Sequence, residues 1–489
     1  EIDDGPFWRL DNLKSLFWDG NQLSSIPKGL PPNIVLQKLE VNSIYSILND
    51  NLTELNKIPT LYLGQNCYFR NPCKTSYYIK KDAFVQLDKM TLLSLKSKTL
   101  SYFPPPLPSS LKELYLFNNI IQTITEMDFH NLKELEILDL SGNCPRCHNA
   151  PFPCIPCPNN APLQIHPNSF KTLRKRKTLR LHSNSLTHIP SDWFQNLTQL
   201  GLLDPSSNFL AKEITCTSFP SLLPNLEELD LSFNYELQVY PASLNLSRSF
   251  RYLKSLKVLR IRGYVFQELT QEDIQPLANL TNLEVIDLGT NFIKIAHLSL
   301  LRNLKNFKII NLSDNKISMP SQGETSLSNH RESHYSSPMS QGAQYHNGEV
   351  KDIHYFLYDY ARSCKYKDKE LWISSPFNNK CSFFGKTLDI SRNNIFFLHS
   401  RFLDLGELRC LNLSGNAMSQ SLNGSEFVQL KNLQYLDFSD NRLDLMFSSA
   451  FQELSSLVVL DISRNSHYFV AEGLTHMLNF TKNLGKLSK

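Results

Sequence analysis

The chain has 489 residues, 41% hydrophobic and 20% charged, with a formal charge of +4 at pH 7. That is the composition of a globular protein rather than a disordered or collagenous one, and so mild a charge singles out neither nucleic acid nor membrane as a partner. No run of about eighteen apolar residues occurs, which excludes a membrane-spanning helix and an apolar signal core within these residues, so any anchor is expected outside them.

In chain order, L-x-x-L-x-L-x-x-N recurs as LKELYLFNN from 111, LEILDLSGN from 135, LEELDLSFN from 226, LEVIDLGTN from 283, LRCLNLSGN from 408, LQYLDFSDN from 433 and LVVLDISRN from 457. Weaker copies bring the total to sixteen, with the consensus Asn or its replacement running from Asn21 to Asn465. The pattern predicts an α/β leucine-rich repeat solenoid, a horseshoe with a concave parallel β-sheet. Each L-x-L is a short strand whose leucines point inward and whose intervening residues point out. Each Asn closes the following bend by satisfying backbone groups that would otherwise be buried without partners. Lys98 and Tyr264 replace that Asn, and Pro205 puts a residue without an N–H inside a strand, so irregularity is expected at all three. Residue 1 enters in mid-pattern and Lys489 falls within another copy, which reads as a solenoid uncapped at both ends.

Two spacings break the rhythm: Asn143 to Asn184 is 41 residues and Asn315 to Asn393 is 78. The predicted organisation is therefore repeats over 1–318, a long insertion loop over 319–384, and further repeats over 385–489. The first half of the long loop is rich in Ser, Gly, Gln and His, the composition of an exposed segment open to proteases. Its second half is aromatic and basic, and is expected to dock.

The short insertion carries CPRCHNAPFPCIPC, with Cys144, Cys147, Cys154 and Cys157. Its middle segment is short for a zinc ribbon, so two disulfides are favoured over a metal site, and neither a metal nor a cofactor is expected. Cys67 and Cys73 read as a local bridge, and Cys381 and Cys410 are also assigned to disulfides. Eight N-x-S/T sequons, at Asn51, Asn196, Asn245, Asn279, Asn311, Asn412, Asn423 and Asn479, together with the clustered cysteines favour a secretory or lumenal compartment. Asn311 and Asn412 fall at outward strand positions, where glycans would cover part of the concave face.

No phosphate-binding loop, dinucleotide fingerprint, zinc-protease helix or nucleophile elbow occurs, so no catalytic residue is assigned and an enzyme is not expected. His330 and His334 in HRESH share helical spacing, but their Ser/Gln/Gly-rich flanks read as solvated loop. Basic residues offer more: Arg180 and His182, Arg260 and Arg262, and RKRK at 174–177 could hold phosphates beside aromatic rings, although charge runs are more often a solvated face. Thirteen histidines would raise the charge further in an acidified compartment.

CPRCHNAPFPCIPC, YLGQNCYFRNPC, LRIRGYVFQEL, LGTNFIKIA, YARSCKYK and LDISRNSHYF together resemble the ectodomains of the nucleic-acid-sensing Toll-like receptors of the 7/8/9 subgroup. The resemblance implies an endosomal innate-immune receptor, a type I membrane protein that senses single-stranded RNA fragments and guanosine-like small molecules. It also implies a homodimer stabilised by ligand, with the membrane anchor and cytoplasmic signalling domain outside this chain. The small-ligand site carried over by it comprises Tyr235, Tyr240, Val265, Phe292 and Lys316: two rings to sandwich a purine, an apolar wall and a cation at the polar edge. For RNA it points to Arg70 and Arg362. It further implies that Cys364 pairs with a cysteine preceding residue 1, whereas Cys216 matches none. A different class of protein fits the repeats as well: a structural or adhesion leucine-rich repeat protein that binds a protein partner on its concave face.

Overall fold

The computed structural model describes residue 7 and residues 9–31, 33–67, 73, 77–97, 99–104, 106–148, 154–318, 380–398, 405–443, 449–465 and 486–488. The chain divides into two compact units. One comprises Glu1–His148, Pro153–Asn234 and Ser247–Leu256; the other comprises Asn149–Phe152, Tyr235–Leu246 and Lys257–Lys489.

In the first unit a parallel sheet takes one described strand per repeat, and two short parallel pairs, Ser46–Ile47 with Tyr78–Ile79 and Thr123–Ile124 with Gln164–Ile165, lie outside it. The strands of the sheet run from Ser15–Phe17 through Leu36–Lys38, Thr60–Tyr62, Leu92–Ser94, Glu113–Tyr115, Ile137–Asp139, Thr178–Arg180 and Leu202–Asp204 to Glu228–Asp230. The second unit repeats the plan from Val258–Arg260 through Val285–Asp287, Ile309–Asn311, Thr387–Asp389, Cys410–Asn412, Tyr435–Asp437 and Val459–Asp461 to Lys486–Ser488. Both insertions leave the pairing unbroken: Ile137–Asp139 pairs directly with Thr178–Arg180, and Ile309–Asn311 with Thr387–Asp389. The fold is the leucine-rich repeat that the spacing predicts. No described helix is long and apolar enough to cross a membrane.

The inward leucines supply the cohesion. Leu114, Leu116, Leu138, Leu140, Leu229 and Leu231 are all fully buried, as the two-residue period of a strand requires. Asparagines tie the repeats to one another. The Asn208 amide nitrogen donates to the carbonyls of Leu181 and Pro205 at 3.0 and 2.9 Å, while its oxygen accepts from the N–H groups of Asn184 and Leu186, both at 2.9 Å. Asn143, Asn184 and Asn208 each donate their own N–H to the next asparagine oxygen, and Asn393 and Asn416 do the same in the second unit. The bend places the residue before the asparagine in the left-handed region, with φ of 52° at Ser183, 53° at Ser207 and 56° at Asp314. Short polar residues tolerate that conformation, which is why SN, DN and GN pairs recur there.

The irregularities follow from missing donors. Pro205 sits just beyond the strand Leu202–Asp204, rather than inside it, and cannot give the backbone bond that Leu181 gives to the Asp204 carbonyl at 2.8 Å. At Tyr264 the amide is absent, so the Ile261 carbonyl lacks the bond from its own repeat that Leu181 receives from Asn184, and keeps the one from the next repeat, Asn291 Nδ2 at 2.7 Å. Lys98 lies outside the described residues.

Disulfides join Cys67 to Cys73, Cys144 to Cys157, Cys147 to Cys154 and Cys381 to Cys410. The last ties the segment entering the third predicted region to a strand, with Phe384 and Tyr435 packed against it. Cys216 is exposed and outside these pairs, and Cys364 lies outside the described residues.

Candidate functional site

The second unit gathers Tyr235, Val265 and Phe292 into one buried cluster, with Leu237 and Tyr240 packed against it. Four of the five small-ligand residues therefore meet. Three of them occupy equivalent places in successive repeats: Tyr235 follows Asn234, Val265 follows Tyr264, and Phe292 follows Asn291, while Tyr240 packs against them from further along its own repeat. The parallel register stacks these positions along the edge of the solenoid. Lys316 follows Asn315 in the same way, and its Nζ lies 5.7 Å from the Phe292 ring centroid.

The backbone of this corner is unusual. Val265 has φ of 68° and Phe292 has φ of 58°, a conformation that costs about 1 to 3 kcal/mol for bulky or β-branched side chains. Asn291 holds it in place, its side-chain oxygen accepting from the N–H groups of Tyr264 and Val265 at 2.7 and 2.9 Å. The Tyr240 hydroxyl donates to the Phe292 carbonyl. Burial raises the Tyr264 phenol to about 12, with smaller contributions from Glu236 and Asp273, so it stays a neutral, packed ring at physiological pH.

Two side chains here were not anticipated. Lys294 Nζ lies 5.2 Å from the Tyr240 ring centroid, so each of the two rings has a lysine over it. NFIKIA places Lys294 two residues after Phe292, but that spacing alone did not mark it, because the backbone at Phe292 is left-handed rather than extended. Gln267 Nε2 donates to the Tyr240 carbonyl at 3.0 Å, and no motif pointed to it.

Arg70 and Arg362, the residues expected at an RNA site, lie outside the described residues, as do His330 and His334. The other basic candidates are largely committed. Within RKRK, Lys175 pairs with Glu134 at 2.6 Å, Lys177 pairs with Glu136 at 2.8 Å, and Arg176 is fully buried. Arg180 and His182 are buried, with His182 Nδ1 hydrogen-bonded to Ser206 Oγ at 2.7 Å. Arg262 reaches Asp287 at 3.3 Å and Thr290 at 2.9 Å. A more open aromatic and basic surface lies in the first unit, where Lys38 Nζ is 5.7 Å from the exposed Phe17 ring and 5.1 Å from that of Tyr62.

The sequons separate by exposure. Asn245, Asn279 and Asn423 are exposed and Asn196 is half-buried, whereas the side chain of Asn51 and all of Asn479 lie outside the described residues. The expectation that Asn311 and Asn412 stand open on the face is corrected by their burial. Asn311 Nδ2 donates to Asp287 at 2.8 Å and Asn412 Nδ2 to Asp389 at 3.1 Å. Register is the cause, since it sets each asparagine directly beside an aspartate of the preceding strand.

In-register L-x-L strands tied by an asparagine ladder, with an aromatic cluster along one edge, define a leucine-rich repeat protein. Leucine-rich repeat family models match residues 419–466 and 177–197. Over 100% of its length the chain is 55% identical to Toll-like receptor 7 of Mus musculus, of which it covers 46%. Over 99% of its length it is 43% identical to Toll-like receptor 8 and 35% identical to Toll-like receptor 9, both of Homo sapiens, covering 45% of each. The chain belongs to the Toll-like receptors of the 7, 8 and 9 group, and spans just under half the length of these relatives.

Proposed function

We propose that the chain is part of the ectodomain of an innate-immune receptor, not an enzyme, that meets single-stranded RNA fragments and guanosine-like small molecules in the endosomal lumen. The observation that carries this reading is the cluster of Tyr235, Tyr240, Val265 and Phe292, with Lys294 and Lys316 over its rings. Flat rings beside an apolar wall suit a planar heteroaromatic base, and the two ammonium groups suit its oxygen-bearing edge. A ligand held there and touching a second copy of the receptor would favour the dimer by mass action, bringing together the anchor and signalling segments of the whole protein. Phe17, Lys38 and Tyr62 support a second, RNA-binding surface: their rings offer stacking and the ammonium group offers phosphate contact.

Sedimentation at about pH 5.5, where exposed histidines carry charge, tests this with and without guanosine plus a short uridine-containing RNA. A ligand-dependent rise in mass is expected. An unchanged mass, with a protein partner retained instead, would favour the adhesion reading.

A further inference from the structure

Tyr240 is held at both ends. On the backbone side, the Gln267 carboxamide donates to the Tyr240 carbonyl at 3.0 Å, and the Gln267 N–H donates to the Pro241 carbonyl at 3.0 Å. The zipper continues past it, with the Glu268 N–H on the Ala242 carbonyl at 2.9 Å. Gln267 is itself anchored to the following repeat, its carbonyl accepting from the Lys294 N–H at 2.7 Å. On the tip side, the hydroxyl reaches across the Val265 repeat to the Phe292 carbonyl. Between Tyr235 and Tyr240 the chain passes through Gln238, whose φ of 59° marks a sharp turn in the arm.

The two ends differ in kind. The base is fixed by three backbone-directed bonds to Gln267 and Glu268, whereas the tip, packed against the cluster, makes its bond to the Phe292 carbonyl through a hydroxyl that leaves with any rotation of the side chain. When it leaves, the Phe292 carbonyl loses that donor beside Val265 and the Phe292 ring, an unfavourable loss unless another donor takes its place.

We propose that Tyr240 is a gate: its hydroxyl closes on the Phe292 carbonyl in the free protein, and a planar ligand enters between the two rings by replacing that donor, while Gln267 holds the hinge. This rests on the small-ligand reading of the corner and deepens it. The ligand class is a flat heteroaromatic with an N–H on its edge, which can stack between the rings and also satisfy the carbonyl that the tyrosine gives up. A base of the same shape without an edge N–H would leave the carbonyl unpaired and bind more weakly.

The test compares the full chain with Tyr240→Phe and Gln267→Ala. Two readouts are used: amide hydrogen exchange of the segment 290–296 without ligand, and association and dissociation rates for guanosine. Tyr240→Phe keeps the ring and removes the latch. Exchange in 290–296 should rise roughly fivefold, because the closed state is lost, and association should quicken by roughly the same factor. Gln267→Ala should instead shorten ligand residence, since Tyr240 loses the carboxamide bond to its own carbonyl while the two main-chain bonds beside it remain. Unchanged exchange in Tyr240→Phe would overturn the gate, and so would faster exchange with slower association, which would make the hydroxyl a plain ligand contact. Faster exchange with no guanosine binding by any of the three proteins would sustain the closed latch and sink the small-ligand reading.

Discussion

Around Asn208 and around Phe292 the chain follows the same repeat plan and uses it for opposite ends. At Asn208 the asparagine is present, its amide is fully engaged and the side chain is sealed from water. At the Phe292 corner an asparagine is replaced by Tyr264, two bulky residues sit at left-handed φ, and the side chains that follow the bend gather into an aromatic cluster. Regular repeats hold the solenoid together. Departures from regularity, at some cost in strain, draw the side chains that follow the bend into a buried cluster of their own.

Four perturbations break or sharpen that contrast, the largest first. Asn208→Ala should lower stability by about 3 kcal/mol or more, because it strands several buried backbone groups at once; the denaturant midpoint would report it. A loss below about 1 kcal/mol would mean that water repairs the ladder.

Arg176 is the inverse case in the same unit. It occupies a consensus leucine position, is fully buried, and has no hydrogen-bond partner for its guanidinium nitrogens among the described residues. The Phe170 ring lies 5.2 Å from the guanidinium carbon, and burial pushes the group down to about 9. Arg176→Leu should therefore raise stability by about 2 kcal/mol. A base whose folded value is depressed penalises the fold most fully below that value, so the gain should be complete at neutral pH. It should shrink as pH rises through about 9.

Phe292→Leu keeps apolar volume and loses the flat ring. Affinity for guanosine should fall about tenfold, some 1.4 kcal/mol, while the unfolding midpoint moves little. Unchanged affinity would remove Phe292 from the site.

The smallest effect is expected at Asp437, whose register neighbour is Asp461. Burial above all, then repulsion from Asp461 and Asp389, raises its carboxyl, against the hydrogen bonds from Ser439. An acid raised in the folded state costs stability increasingly as pH climbs from its unfolded value to its folded one, costs it in full above that, and costs nothing where both states are protonated. Asp437→Asn should stabilise at neutral pH by under about 1 kcal/mol, the gain vanishing below the ordinary aspartate range. The asparagine could then donate to Asp461 as Asn412 donates to Asp389. A gain independent of pH would point to packing instead.

Much of the fold was legible. Leu114 and Leu116 announced a strand with one buried face, Asn208 announced its bend, and the spacings 41 and 78 announced insertions. The candidate site was less so. Tyr235, Val265 and Phe292 can be aligned by their position after the bend, but Gln267 acts through a carbonyl 27 residues away and carries no motif. The basic residues misled in part: the sequence shows that Lys175, Lys177 and Arg180 are cationic, but not that neighbouring repeats already supply Glu134 and Glu136 or bury the guanidinium.

By itself, the sequence determined the repeat, its strand period and its ladder of asparagines, because these depend on residue type and spacing within about 25 residues. Only the tertiary structure decided which outward side chains remain open. Parallel register sets each residue beside its counterparts in the repeats before and after, so exposure at Asn311, Arg180 or Tyr240 depends on partners far away in the chain.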